Sequence, residues 1–174
     1  MKVDVRLVGP DDVPVLARLL RAERDFLAPW EPRRAEDHAT EEVQREVVAQ
    51  VLADAEAGRA LPLVVLADGA VVGRITVTGV VRGAFQSGDL GYWVASTHNG
   101  RGVATAAVAL TVRRAFDDLG LHRLGAATLL HNVRSQRVLA RNGFERIGMA
   151  PRYLQIAGEW QDHLLFQRLA DAPR

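Results

Sequence analysis

The sharpest chemical feature of the sequence is Asn99-Gly100-Arg101-Gly102, set between an apolar strand pattern, Leu90-Gly91-Tyr92-Trp93-Val94, and an amphipathic helix starting near Val103. At such a junction successive backbone N–H groups converge and the helix N-terminus adds the positive end of its dipole, so the turn suits an anion such as phosphate. Gly100 and Gly102 carry no Cβ, which lets a phosphate approach the backbone. A plainer reading is also open, in which the glycines are steric necessities of a tight βα turn. The turn lacks the third glycine and the strand-end acid of a dinucleotide fingerprint, and the Lys-Ser/Thr pair of a P-loop.

A second feature follows further along: Asn132-Val133-Arg134-Ser135-Gln136-Arg137-Val138-Leu139-Ala140-Arg141-Asn142-Gly143-Phe144. By itself it reads as an amphipathic helix over residues 135–141, capped by Ser135 and stopped by Asn142-Gly143. Other chemistries find less support. His38, His98, His122, His131 and His163 show no ligand-pair spacing and there is no cysteine, so no metal site is expected. Asp162 and His163 are neighbours on a strand pattern and would point to opposite faces. No Gly-x-Ser-x-Gly elbow occurs, which disfavours a serine hydrolase. Trp30 and Phe85 are either ordinary half-buried aromatics or the walls of a pocket.

The elements that must position these residues are legible from periodicity and turn chemistry. Val3, Val5 and Leu7 alternate with charges as a strand, and Asp11 with Pro14 opens a helix running to about Arg24. Two prolines in Phe26-Leu27-Ala28-Pro29-Trp30-Glu31-Pro32 make that stretch a loop. A helix follows Thr40, with Val43, Val47, Val48, Val51 and Leu52 on one face and Gly58 as its stop. Leu61–Ala67 and Ala70–Val81 flank an Asp68-Gly69 hairpin turn, and residues 89–95 form a further strand. The helix from Val103 ends at Gly120; a strand over Arg123–Leu129, the Ser135 helix and two strands complete the chain. The order β-α-α-β-β-β-α-β-α-β-β predicts an α+β fold, a mixed and mostly antiparallel sheet with helices on both faces.

Composition bounds the function. The 174 residues suit one domain, expected over residues 1–174 with a core over about 3–169. Apolar residues at 48% and charged residues at 25% are ordinary globular values and argue against disorder. The formal net charge of +1 offers no footprint for nucleic acid or an anionic membrane. Lys2 is the single lysine, so every other basic side chain is an arginine, whose planar fork suits phosphate and carboxylate. The longest apolar runs fall short of the roughly 18 residues of a membrane span, and Lys2, Asp4 and Arg6 interrupt any signal-peptide core. With no cysteine, a cytoplasmic address is expected.

Together, the anion turn, helix, strand, Asn-x-x-Ser helix and Gly143-Phe144 resemble the Gcn5-related N-acetyltransferase superfamily. Its pattern Gln/Arg-x-x-Gly-x-Gly/Ala maps onto Asn99, Gly102 and Ala104, and Asn99 departs at the first position, leaving the backbone cradle intact. A finer resemblance runs through Leu27-Ala28-Pro29-Trp30-Glu31-Pro32, Val80-Val81-Arg82-Gly83-Ala84-Phe85 and the tail Tyr153-Leu154-Gln155-Ile156-Ala157-Gly158-Glu159-Trp160-Gln161-Asp162-His163. These segments look like the ribosomal-protein-alanine N-acetyltransferase branch, bacterial enzymes that acetylate protein N-termini.

The resemblance implies a sheet splayed beside residues 89–95 and holding acetyl-coenzyme A, with no metal. Its pyrophosphate would rest on the N–H groups of Gly100, Arg101, Gly102, Val103, Ala104 and Thr105. Backbone groups of Val94 and its neighbours would pair with the pantetheine arm, and the N–H of Val94 or Ala95 would polarise the thioester carbonyl. Asn132 would bond the arm, and Arg101 or Arg137 would meet phosphates. Ser135 would protonate the departing thiolate, Glu31 or Asp162 would act as base through water, and Trp30, Glu31 and Phe85 would wall the acceptor pocket. Direct attack in a ternary complex is expected.

The acceptor is read as the N-terminus of a protein or peptide, ribosomal proteins among them. An α-amine with a pKa of about 7.7–8.0 is partly neutral near pH 7, whereas a lysine at about 10.4 is neutral only about once in 2,500 molecules, equivalent to roughly 4.6 kcal/mol. A chain with no obvious strong base therefore fits an α-amine. Two alternatives remain: a small amine (antibiotic, polyamine or amino acid) as acceptor, and an acyl-coenzyme A binding module without turnover.

Overall fold

The computed structural model describes residues 1–170; the last four of the expected domain, 171–174, lie outside the described residues. The elements are β1 (Val3–Leu7), α1 (Val13–Ala22), α2 (Arg24–Leu27), α3 (Glu41–Glu56), β2 (Leu61–Ala67), β3 (Ala70–Val81), β4 (Ser87–Val94), α4 (Val103–Asp117), β5 (Arg123–Leu129), α5 (Val133–Arg141), β6 (Glu145–Ile156) and β7 (Glu159–Leu169). The strands form one seven-stranded sheet in the order β1-β2-β3-β4-β5-β7-β6. Every neighbouring pair is antiparallel except β4 with β5.

Apolar residues leave both faces of the sheet. Leu63 and Val65 of β2 join Val108, Val112 and Ala115 of α4 and Leu139 of α5 in the larger core, while Val64 joins Leu16 of α1 and Val48 of α3 in the smaller one. That division explains why β2 is an unbroken apolar run: both of its faces are covered.

Both ends of the first helix differ from expectation. Helical structure persists to Leu27, so the proline loop starts later than the sequence suggested. Asp12, not Asp11, organises the start of α1, and it does so without capping the helix. Its carboxylate accepts the Gly9 N–H at 2.8 Å and both terminal nitrogens of Arg6 at 2.7 Å. Bonding to Arg6 holds this carboxylate below the usual Asp range.

The pairing of β4 decides where a ligand can enter. Its parallel register with β5 covers only Ser87–Arg123, Gly88–Leu124 and Asp89–Gly125. Beyond Asp89 the strand stays with β3 as far as the Gly73–Val94 pair, while β5 stays with β7 as far as Leu129–His163. The sheet is therefore split along one edge of β4.

Gly73 lets β3 approach β4 at the end of the split. A Cβ there would lie 2.2 Å from the Trp93 carbonyl oxygen and 2.9 Å from the Val94 Cα, both backbone atoms that cannot swing aside. Gly73→Ala should force Val94 outward, at an overpacking cost of about 1–3 kcal/mol. Urea unfolding of the variant should show that loss; unaltered stability would mean that the two strands have room to separate.

Candidate active site

The free edge of β4 supplies the first part of the site. The Ala95 N–H donates to the Val72 carbonyl at 2.8 Å, which fixes the phase of the ladder. By antiparallel alternation, Trp93 and Gly91 bond towards β3, while the N–H and C=O groups of Tyr92 and Val94 point into the split. The bond to Val72 overturns the expectation that the Ala95 N–H polarises the thioester carbonyl. The carbonyl of Ala95 in turn accepts the His98 N–H at 2.9 Å. Val94 alone of the two has an N–H turned to the opening.

The turn after β4 is held by a residue that no motif or spacing singles out. Glu23, buried at the end of α1, accepts the Ser96 N–H at 3.0 Å and the Ser96 hydroxyl at 3.2 Å. Gly100 and Gly102 then take φ of +74° and +80°, left-handed values that favour glycine. A Cβ on either would meet nothing within 4 Å, so open space adjoins both. The first bond of α4 runs from Ala106 N–H to the Gly102 carbonyl at 3.0 Å, leaving Val103, Ala104 and Thr105 ahead of it without intrahelical acceptors. Open space against a run of N–H groups at a helix start fits a pyrophosphate. Arg101 on the turn and Arg137 on α5 are exposed, and neither enters an ion pair among the described residues.

The start of α5 corrects the reading of Ser135 as a cap. The cap is Asn132, whose Oδ1 accepts the Ser135 N–H at 3.1 Å. That bond leaves the Asn132 Nδ2 group as the donor for a ligand. The Ser135 hydroxyl instead lies 2.8 Å from the phenol oxygen of Tyr92. Burial pushes the Tyr92 pKa up to about 12, and its bond to Ser135 offsets only part of that rise. At the other end of α5, Asn142 donates to the Thr105 carbonyl at 3.2 Å and the Val138 carbonyl at 2.9 Å. The residue read as a helix stop therefore also locks α5 onto the first turn of α4.

Two segments singled out in the sequence meet as a rim. The Ala157 N–H of the β6–β7 turn donates to the Glu31 carbonyl at 2.8 Å, and Arg33 Nε donates to the Ala157 carbonyl at 3.2 Å. Trp30 stands 5.4 Å, centroid to centroid, from His131, the neighbour of Asn132. The Glu31 carboxylate is largely buried and receives Arg34 Nε at 3.3 Å. Arg74 on β3 adds a guanidinium that burial makes easier to deprotonate; the positive charge of Arg34 acts in the same direction, and Glu31 opposes both.

The remaining candidates fall elsewhere. Asp162 Oδ1 accepts the Arg152 N–H at 2.8 Å, bracing the irregular stretch of β6 where Arg152 has φ +47°. Phe85 lies before β4, at its paired end rather than its open end, and packs against the Arg123 guanidinium at 5.7 Å. It stands apart from Trp30 and Glu31, which corrects its assignment to a shared pocket wall.

The Tyr92 phenol carries a pH signature. Its unfolded pKa is near 10 and its folded value about 12, so its contribution to stability is complete below pH 10 and is lost as pH rises to 12. Relative to Tyr92→Phe, the native chain should lose about 2–3 kcal/mol of unfolding free energy over that interval. Parallel alkaline profiles for the two proteins would contradict the burial of this group.

A family model described as an acetyltransferase (GNAT) domain matches residues 2–145. The chain is 34% identical over 163 residues to the ribosomal protein uS5-alanine N-acetyltransferase of Escherichia coli (strain K12), covering 92% of this chain and 84% of that protein. Mycobacterium smegmatis RimJ, solved in complex with CoA-disulfide, superposes with a TM-score of 0.94 at 37% identity, over 97% of this chain and 82% of that one. The ribosomal-protein-S5-alanine acetyltransferase of Vibrio fischeri gives a TM-score of 0.93 at 32% identity, over 98% and 94%. The split sheet, the N–H cradle and these likenesses agree: the chain belongs to the GNAT acetyltransferase family.

Proposed function

We propose that the protein transfers acetyl from acetyl-coenzyme A to the N-terminal α-amine of a protein or peptide, with ribosomal proteins among its acceptors and the cytoplasm as its place of action. The observation that carries this reading is the open edge of β4 running directly into the N–H cradle of residues 100–105. The likeness to the uS5-alanine acetyltransferase over 92% of the chain supports the choice of acceptor.

Acetyl-coenzyme A supplies the activated acyl group. The N–H groups of Gly100, Arg101, Gly102, Val103, Ala104 and Thr105 hold its pyrophosphate, and Arg101 and Arg137 neutralise phosphate charge. The Val94 carbonyl and Asn132 Nδ2 orient the pantetheine arm. The Val94 N–H faces the thioester carbonyl and stabilises negative charge on its oxygen as the amine attacks. Ser135 gives its hydroxyl proton to the departing sulfur. Glu31, on the rim beside Trp30, accepts the amine proton through water. Asp162 braces β6 instead of serving as base, since one of its oxygens is already bonded to the Arg152 N–H. Trp30 limits the size of the acceptor's first side chain.

Two measurements test the reading. Gly102→Asp adds a Cβ at a left-handed φ and a negative charge at the cradle, so calorimetry should detect no coenzyme A binding. Near wild-type affinity in the folded variant would remove the cradle assignment. Peptides with a free N-terminal Ala or Ser should be acetylated, whereas N-blocked peptides with an internal lysine should be poor acceptors, as located by mass spectrometry. The limb of kcat/KM should track the acceptor's own α-amine pKa. Turnover with small free amines alone would leave the acetyltransferase assignment standing and remove the peptide. Coenzyme A binding with no thiol released from acetyl-coenzyme A in the presence of any amine would reduce the protein to a binding module.

A further inference from the structure

A serine hydroxyl has one proton to give and two lone pairs to offer, so what it can do for a ligand depends on which of these the protein has already used. Ser135 sits in the first turn of α5, where a serine commonly donates to a carbonyl of the preceding turn. Its hydroxyl makes no such bond; among the described residues its partner is the phenol oxygen of Tyr92, at 2.8 Å.

The direction of that bond follows from the chemistry of the two groups. A phenol is the more acidic hydroxyl and the better donor, and burial, which raises the Tyr92 pKa to about 12, keeps its proton in place at every pH at which the enzyme would work. The other acceptor within reach of the phenol is the Ser135 carbonyl at 3.4 Å, beyond the usual hydrogen-bond range. With the phenol as donor, the 2.8 Å bond fills a serine lone pair and leaves the serine proton unassigned. The bond also spans the split, since Tyr92 belongs to β4 and Ser135 to the helix that follows β5.

We propose that Tyr92 is a positioning residue that aims the Ser135 proton at the departing sulfur. The proposal rests on the reading of Ser135 as the proton donor. When the amine nitrogen bonds to the acetyl carbon and the carbon–sulfur bond breaks, the bond's electron pair goes to sulfur and the Ser135 proton follows it. The amine releases one proton to water and Ser135 recovers one from water, so the balance closes with Tyr92 unchanged. Donation from Tyr92 also polarises the serine O–H and makes it a stronger donor.

The experiment is a double-mutant cycle with Tyr92→Phe, Ser135→Ala and the double variant, reading kcat and KM by thiol release and coenzyme A affinity by calorimetry. Phenylalanine keeps the buried ring, and coenzyme A affinity within about threefold of wild type reports an intact fold. General acids of this kind are worth about 10²–10⁴-fold, so Ser135→Ala should lower kcat by about 10²-fold or more, and Tyr92→Phe by about tenfold or more with KM little altered. In the Ser135→Ala background the tyrosine change should add nothing. Additive losses would overturn the proposal while sparing the role of Ser135. A rise in KM with kcat intact would reduce Tyr92 to packing. An unchanged kcat in Ser135→Ala would remove the serine reading itself, and the proposal with it.

Discussion

A β-strand can satisfy its backbone polar groups on both edges only where it has two neighbours, and β4 has two neighbours for just part of its length. Past Asp89 its outer edge is without a strand, since its pairing with β5 ends there while β5 runs on beside β7. Unpaired backbone groups inside a fold are costly, so such an edge persists only where something else bonds to it. Much of the surrounding structure serves to keep that edge open and aligned. Gly73 holds it from the β3 side, Glu23 fixes the turn into which it runs, and Asn142 locks the two helices that cover the split.

The chemistry then divides between backbone and side chains in a way that suits the substrate. On the proposed reading, a phosphate-bearing cofactor is held largely by N–H groups, which need the correct chain path and little side-chain identity. Asn99 then suffices where the resembled pattern has Gln or Arg. The acceptor side depends on side chains instead, and there the charges are unusually mixed. Glu31 is set among Arg34 and Arg74, and the nearby His38 is harder to protonate because of its burial and the positive charge of those arginines. Positive surroundings favour the neutral form of an arriving amine, which is the form that can attack.

Local features of the fold were legible because they depend on local chemistry. The Asp68-Gly69 hairpin has the left-handed dihedrals its residues favour, Thr40 caps α3 by accepting the Val43 N–H, and β2 ends where its apolar run ends. Ser135 was misread as a cap because Asn132 and Ser135 are both good capping residues, and only the path of the chain into α5 decides between them. The Tyr92–Ser135 bond, the Glu23 clamp and the Glu31–Ala157 stitch could not have been read from spacing. Each joins elements far apart in sequence, and Glu23 in particular looks like one more charge at the end of an amphipathic helix. Phe85 was grouped with Trp30 by pattern resemblance, and the strand topology puts it at the wrong end of β4.

Glu23 has a consequence for how the two halves of the site behave together. The residue directly precedes α2, which leads into the proline loop carrying Trp30 and Glu31, and its carboxylate holds the turn that leads to the nucleotide cradle. One buried side chain thus lies on the paths of both segments proposed to bind substrate. Any free energy by which a docked acceptor steadies that shared anchor must reappear, in equal measure, as tighter retention of the nucleotide, because linkage between two sites is reciprocal. Coupling of that kind raises both affinities by the same factor, whichever substrate binds first.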